Sequence, residues 1–308
     1  MWALACVAVL GCTESILAAD VIAEADVRPT SLWETWWAPL AGIIMFYVVI
    51  SRRWMRLNNL PRFPWTFRPG TGLLFFAATL FAGIFGSLIG SLISGPLPDD
   101  SAGALNAQAA LRVMTIVAFV SLLFQGVVLM LMPGWRSGHA RGQADRRASV
   151  GSCILQGIIA IIIVLPIVLG LATVLQLITE RLTGTPPDPL AHETLVVLAD
   201  GRESAWFWGK AILVVLAAPI VEEVLYRGLL QESLRRHRVL MGGSPWGSII
   251  GASIFFTVMH LGAVEWQAIL PLFVLSLALG CVFARTGRLV APIVMHMIFN
   301  GFNLFFII

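Results

Sequence analysis

Charged residues are scarce in this chain. Of its 308 residues only 12% are Asp, Glu, Lys or Arg, whereas 58% are hydrophobic, and the mean hydropathy is +0.87. A soluble domain normally carries roughly twice that charged fraction. The composition therefore excludes an ordinary soluble protein and predicts that the chain lies in a lipid bilayer.

Lysine is nearly absent, since Lys210 is the only one among 20 basic residues, and the formal net charge is only +3. A net charge this small does not predict the strongly basic surface that a nucleic-acid-binding domain presents. The four cysteines show neither a CxxC pair nor the Cys/His spacing of a zinc site. We therefore expect no nucleic-acid partner, and we interpret the cysteines as packing residues.

Long hydrophobic runs, by contrast, recur along the chain. A helix needs about 20 apolar residues to cross the ~30 Å hydrocarbon core of a bilayer. Runs close to that length predict an all-α fold, a polytopic membrane helical bundle of about eight transmembrane helices. The predicted spans are 36–50, 71–95, 111–133, 151–178, 206–229, 246–263, 267–284 and 289–307.

The loops between these spans alternate in charge. Arginine gathers in the loops at 52–68, 136–147, 235–238 and 285–288, and acidic residues gather at 99–100 and 180–203. Because cytoplasmic loops carry the excess of basic residues, the arginine-rich loops are predicted to be cytoplasmic. Both ends of the mature chain then face away from the cytoplasm.

The chain divides into three predicted segments. Residues 1–19 form an apolar stretch that ends in Leu-Ala-Ala, which indicates a signal peptide or an N-terminal anchor. Residues 20–180 supply accessory transmembrane helices. A stretch rich in Pro and Thr near 182–190 precedes the segment 206–308, which holds every deep ionisable motif.

The fifth predicted span carries Glu222, Glu223 and Arg227, in the pattern Glu-Glu-x-x-x-Arg. A charge near the centre of a span costs about 2.5–3.5 kcal/mol, so such residues are usually functional. Arg227 lies one helical turn past Glu223 and shares its face, whereas Glu222 points about 100° away. We therefore predict that Glu223 pairs with Arg227 and that Glu222 is free for chemistry.

A proline precedes the two glutamates. Pro219 removes one backbone donor, so that in an α-helix the carbonyl of Val215 loses its partner. Such a break favours a bend and leaves room for water beside the glutamates. A hydrolase needs that water.

Three more polar residues lie in the last spans. His260 follows Phe256 by four residues, and His296 and Asn300 share one face of the final span at the same spacing. A single buried histidine, or a single Glu/Arg pair, is more often a packing feature. Together with Glu222, however, His260, His296 and Asn300 make one hydrolytic site, which uses all four side chains.

The three motifs Glu-Glu-x-x-x-Arg, Phe-x-x-x-His and His-x-x-x-Asn, in this order, resemble the signature of the CPBP family of intramembrane proteases. This is the CAAX prenyl endopeptidase and bacteriocin-immunity group, also called the ABI family. The resemblance covers about residues 206–308, and the segment 285–293 that leads into His296 is also typical of the family. It implies an enzyme, a CAAX-type intramembrane endopeptidase that hydrolyses a peptide bond of a membrane-associated peptide or protein, including prenylated CAAX-type substrates. We expect it in the plasma (inner) membrane of a prokaryote, with its active site opening to the cytoplasmic side.

The resemblance also implies a role for each motif residue. Glu222 acts as general base on a water molecule that it shares with His260, and the water attacks the scissile carbonyl. His296 and Asn300 then donate hydrogen bonds to the developing oxyanion. The supporting residues are Glu223, Arg227 and Phe256.

This version of the site requires no cofactor, but the same residues permit a zinc version. His260, His296 and Glu222 would then bind the ion and leave one position for water. The histidines lack the spacing of His-Glu-x-x-His, and Asn300 is a poor zinc ligand but a good oxyanion donor. We therefore favour the metal-free version.

Two functions of other classes compete with proteolysis. A proton-coupled transporter also places carboxylates and histidines deep in the membrane, but it predicts inverted repeats and broken helices in both halves. A catalytically silent membrane scaffold would bind partners without cutting them, but it has no need of a general base. The confinement of the motifs to 206–308 favours the protease over the transporter, and the intact set of Glu222, His260, His296 and Asn300 favours it over the scaffold.

Overall fold

The computed structural model describes residues 32–52, 56–57, 67–95, 104–132, 149–185, 198–199, 201–237 and 245–305. Within these ranges every regular element is a helix, so the predicted class, an all-α membrane bundle, is confirmed. The predicted signal peptide or anchor at 1–19 lies outside the described residues.

Each predicted span overlaps one helix of the described chain. The helices are α1 (Leu32–Ser51), α2 (Pro69–Ser94), α3 (Ala104–Met130), α4 (Val150–Thr183), α5 (205–236), α6 (Pro245–Met259), α7 (Trp266–Thr286) and α8 (Val290–Phe305). Among the described residues, four helices are long and apolar enough to cross a membrane, namely α2, α4, α7 and Gln108–Met130 of α3. The protein is therefore an integral membrane protein.

Glycines set the closest helix contacts of the first half. A Cβ atom on Gly86 of α2 would lie 2.7 Å from Cα of Ser121 in α3, and one on Gly90 would lie 2.7 Å from Cα of Val117. Real Cβ contacts are longer than this, so only glycine allows the two backbones to approach so closely. These glycines, which are four residues apart, fix the crossing of α2 and α3.

Helix α4 connects the first half to the last helix. A Cβ atom on Gly170 would lie 2.7 Å from the carbonyl oxygen of Ala38 in α1, and one on Gly157 would lie 2.5 Å from that of Ala291 in α8. Gly287 ends α7 in the left-handed conformation, with φ of 63°, and the chain re-enters a helix at Val290. The start of α8 is therefore held both by this tight turn and by α4.

Helix α5 runs through the second half as five consecutive segments. Two of them are π-helical, Leu213–Ala217 and Val224–Gln231, and they flank the short α-helical segment Ala218–Glu223. In a π-helix each N–H bonds to the carbonyl five residues earlier, and such turns often mark functional sites. The two glutamates of the sequence motif thus sit between two widened stretches of one helix.

The glycine crossing of α2 and α3 predicts a position-specific loss of stability. Gly90→Ala should lower the free energy of unfolding by about 1–3 kcal/mol, because the new methyl group overlaps the backbone at Val117. Thermal unfolding in detergent measures the change. Gly126→Ala in α3 is the matched control, since a Cβ atom there would meet nothing within 4 Å. Equal melting temperatures for both variants would show that the crossing does not depend on Gly90.

Candidate active site

Arg227 is the centre of a buried polar cluster. Its Nη1 donates to Oε1 of Glu223 at 2.8 Å, and the side chains are only 1% and 0% exposed. Its Nη2 donates to the hydroxyl of Ser276 in α7 at 2.9 Å, and its guanidinium carbon lies 4.9 Å from the ring centroid of Phe256 in α6. The predicted pairing of Glu223 with Arg227 is present, and the arginine joins α5 to α6 and α7.

His296 lies between the two glutamates. Its Nδ1 donates to Oε1 of Glu223 at 2.9 Å, and its Nε2 lies 3.8 Å from Oε2 of Glu222. Because a carboxylate oxygen accepts, the hydrogen on Nδ1 is fixed and Nε2 is directed to Glu222. The contact brings α8 against α5 at the motif that the sequence singled out.

The two glutamates differ sharply in environment. Glu223 is fully buried and accepts hydrogen bonds from Arg227 and His296 on the same oxygen, whereas the side chain of Glu222 is 27% exposed. A buried carboxylate that accepts two such hydrogen bonds holds its helix in place and is not available to react. Glu222 is the carboxylate whose side chain is partly exposed.

His260 lies beside Phe256, just after the end of α6. Its Nδ1 donates to the backbone carbonyl of Phe256 at 2.7 Å, so the neutral ring presents its Nε2 lone pair outward. The Phe256 ring is 4.4 Å from the His260 ring and 6.0 Å from the His296 ring, measured between centroids. One buried aromatic ring thus stands beside both imidazoles.

Asn300 contacts the backbone of α5. Its Nδ2 donates to the carbonyl oxygen of Val214, within the first π-helical segment, at 2.9 Å. In the α register assumed from the sequence, the carbonyl that Pro219 leaves without a partner is that of Val215. In the π-helix the carbonyl that faces Pro219 is five residues earlier, at Val214, and a side-chain amide occupies it.

Two residues of the cluster escaped the sequence analysis, Ser276 and Gln231. Gln231 donates from Nε2 to the carbonyl of Gly280 at 3.0 Å, one turn beyond the contact between Arg227 and Ser276. A signal was available in the four-residue spacing on both helices, Arg227 to Gln231 and Ser276 to Gly280. The small residues of α7 admit the long polar side chains of α5.

The zinc alternative requires Glu222, His260 and His296 to converge on one point. Among the described residues, no three His, Cys, Asp or Glu side chains form a group that could hold a metal ion. Nδ1 of each histidine is directed to an oxygen acceptor, which leaves only the two Nε2 atoms as ligands. The choice between the metal-free version and the zinc version stays a prediction.

Comparison with known proteins agrees with the motifs. The family model described as type II CAAX prenyl endopeptidase Rce1-like matches residues 204–302. The matched segment runs from the start of α5 into α8 and contains Glu222, His260, His296 and Asn300. The resemblance predicted from the sequence is therefore confirmed for this segment. No curated protein and no solved structure matches the chain.

The buried cluster predicts that Arg227 stabilises the fold strongly. Arg227→Met should lower the free energy of unfolding by about 3–5 kcal/mol, because Glu223 would stay buried without its guanidinium partner. Arg235→Gln is the control: Arg235 is 29% exposed, and its partner Glu232 keeps the ion pair with Arg236. The free energy of unfolding of that variant should fall by no more than about 1 kcal/mol. Similar losses in the two variants, measured by thermal unfolding, would contradict the assignment.

Proposed function

Residues 204–302 fall within the Rce1-like family of type II CAAX prenyl endopeptidases, and on this premise we propose that the protein is an intramembrane endopeptidase that cleaves a peptide bond of a membrane-associated substrate. The observation that carries the proposal is the position of His296 within the helical bundle. Its Nδ1 lies 2.9 Å from Oε1 of Glu223 and its Nε2 lies 3.8 Å from Oε2 of Glu222. If the cluster served packing alone, the pair of Glu223 and Arg227 would be sufficient for that role. The pair leaves Glu222 partly exposed beside an imidazole, which is the environment that a general base requires.

Glu222 activates the water molecule in this proposal. Its carboxylate takes one proton from the water, whose oxygen attacks the scissile carbonyl carbon. The tautomer of His260 supports its part in the step, because the hydrogen on Nδ1 points to the Phe256 carbonyl and Nε2 can accept the second hydrogen of that water. Protonated Glu222 then returns its proton to the leaving amine as the tetrahedral intermediate collapses.

His296 and Asn300 stabilise the oxyanion. His296 donates from Nε2 when that nitrogen carries a proton, and Glu223 balances the resulting positive charge through Nδ1. Asn300 uses one N–H on Val214 and has a second to offer to the substrate oxygen. Removing a single donor of this kind typically lowers turnover by about 10²–10³-fold.

The arginine pattern supports a site that opens to the cytoplasm. Helix α5 ends with Arg235 and Arg236, both of which pair with buried Glu232. The loops richest in arginine are every second loop of the chain, so all of them lie on one side of the membrane. We place the enzyme in the plasma (inner) membrane of a prokaryote. Its partners are the bilayer and a membrane-associated peptide or protein, of which a prenylated CAAX-type chain is one case.

Glu222→Gln should abolish proteolysis without unfolding the protein. Turnover of a prenylated C-terminal peptide and of an unprenylated membrane-anchored peptide, measured in nanodiscs, should fall by at least about 10²-fold, because an amide cannot accept the water proton. Glu265→Gln is the control, since Glu265 precedes α7 at an exposed position and makes no capping hydrogen bond.

Full turnover in Glu222→Gln would contradict the proposed mechanism. A wild-type protein that carries a solute into vesicles and cleaves neither peptide would favour the transporter. A wild-type protein that binds the peptides without cleaving them would favour the scaffold.

Metal content separates the metal-free version from the zinc version. We expect purified, active protein to contain far less than one zinc ion per chain by mass spectrometry of the elements, and to keep its activity in the presence of a chelator. Stoichiometric zinc, together with activity that the chelator removes and added zinc restores, would show that His260, His296 and Glu222 bind the metal during turnover.

A further inference from the structure

The backbone of α5 leaves one carbonyl without a backbone donor. In an α-helix the carbonyl of Val214 would accept from the N–H of Ala218, but that N–H donates to Leu213, five residues earlier. In the π register the donor for Val214 would be residue 219, which is proline and has no N–H. A peptide carbonyl at membrane depth needs a partner, because the surrounding hydrocarbon supplies none.

Asn300 supplies that partner from another helix. Its Nδ2 lies 2.9 Å from the Val214 oxygen. Since a carbonyl can only accept, the NH₂ group of the amide, and not its oxygen, faces α5. This contact fixes the orientation of the amide plane, and with it the directions of the second N–H and of the amide oxygen. Asn300 lies one helical turn beyond His296 on α8, so the fixed amide belongs to the same helix face as the imidazole between the glutamates.

We propose that Pro219 is a positioning residue for Asn300. By removing the N–H that would otherwise occupy the Val214 carbonyl, Pro219 reserves this acceptor for the Asn300 amide and sets the direction of its second N–H. The inference rests on the proposed function, in which that N–H stabilises the oxyanion. It assigns the helix break a purpose different from water access: the break ties the oxyanion donor on α8 to the helix that carries the general base.

A double-mutant cycle tests the energetic link. Pro219→Ala restores an N–H that competes for Val214, so kcat should fall about tenfold with KM unchanged, a loss of about 1.4 kcal/mol of transition-state stabilisation. In an Asn300→Ala background the same change should cost nothing further, because the group that it positions is gone. Pro166→Ala, which removes a proline inside α4, is the control and should leave kcat unchanged in both backgrounds.

Two kinetic outcomes would overturn the inference. If Pro219→Ala lowers kcat by the same factor with and without Asn300, its role is structural. If it leaves kcat unchanged in the wild-type background, it has no role in positioning. Pro219→Gly supplies the same N–H and serves as the second variant if Pro219→Ala does not fold.

A spectroscopic readout separates this inference from the proposed function. In protein labelled with ¹⁵N-asparagine, the side-chain pair of Asn300 is assigned by its loss in Asn300→Ala. One of its two N–H signals should resist exchange with solvent in the wild type and lose that protection in Pro219→Ala.

The measurement does not depend on turnover. An unprotected pair in the wild type, or protection that survives Pro219→Ala, would overturn the positioning role. If the Asn300 N–H is protected as expected but the protein cleaves no peptide, the proposed function is wrong and the contact between Asn300 and Val214 still stands.

Discussion

The hydrogen bonds from Arg227 and His296 onto one oxygen of Glu223 are the constraint on which the second half depends. Burying an ion costs several kcal/mol, so a carboxylate with 0% exposure needs hydrogen-bond donors inside the protein. Here those donors come from its own helix and from α8, and the arginine extends the cluster to Ser276 in α7. The position of Glu222 follows, because it is the residue directly before Glu223 on the same helix.

Hydrophobic length and residue spacing predicted much of this structure. Apolar runs anticipated each helix because the thickness of the bilayer sets the length of a span. Four-residue spacing anticipated the pairing of Glu223 with Arg227. The polar residues in three late spans predicted one shared site, and the described contacts join His296 to both glutamates. These are properties of single helices, or of the cost of placing a charge in hydrocarbon, and both can be read directly from a sequence.

The remaining features depend on packing between helices or on hydrogen-bond register. The contact of His296 with Glu223 joins residues 73 apart in the chain, and no local pattern specifies it. The π register at Val214 differs from an α-helix by one residue in the hydrogen-bond ladder. Hydrophobic periodicity cannot reveal that difference in a helix such as α5, which is apolar on several faces.

The two parts of the chain share one hydrophobic core. Phe76 of α2 packs edge-on against Tyr226 of α5, with ring centroids 6.0 Å apart, and Arg236 donates to the backbone carbonyl of Phe67 just before α2. The division into accessory helices at 20–180 and a catalytic core at 206–308 stays a prediction. These contacts indicate that the accessory helices support the helix that carries the glutamates.

The two π-helical stretches of α5 make the length of this helix as important as its composition. A π turn holds one more residue than an α turn, so loss of a single residue from Leu213–Ala217 would let that stretch relax to an ordinary helix. The helix beyond it would then nearly keep its orientation, because the widened turn already contains the residue that is lost, whereas a deletion in an α-helical part of α5 would rotate everything beyond it by about 100°. The widened stretch is therefore the part of α5 that most easily accommodates a one-residue deletion, and a deletion elsewhere before the glutamates would misalign the motif side chains downstream on the helix.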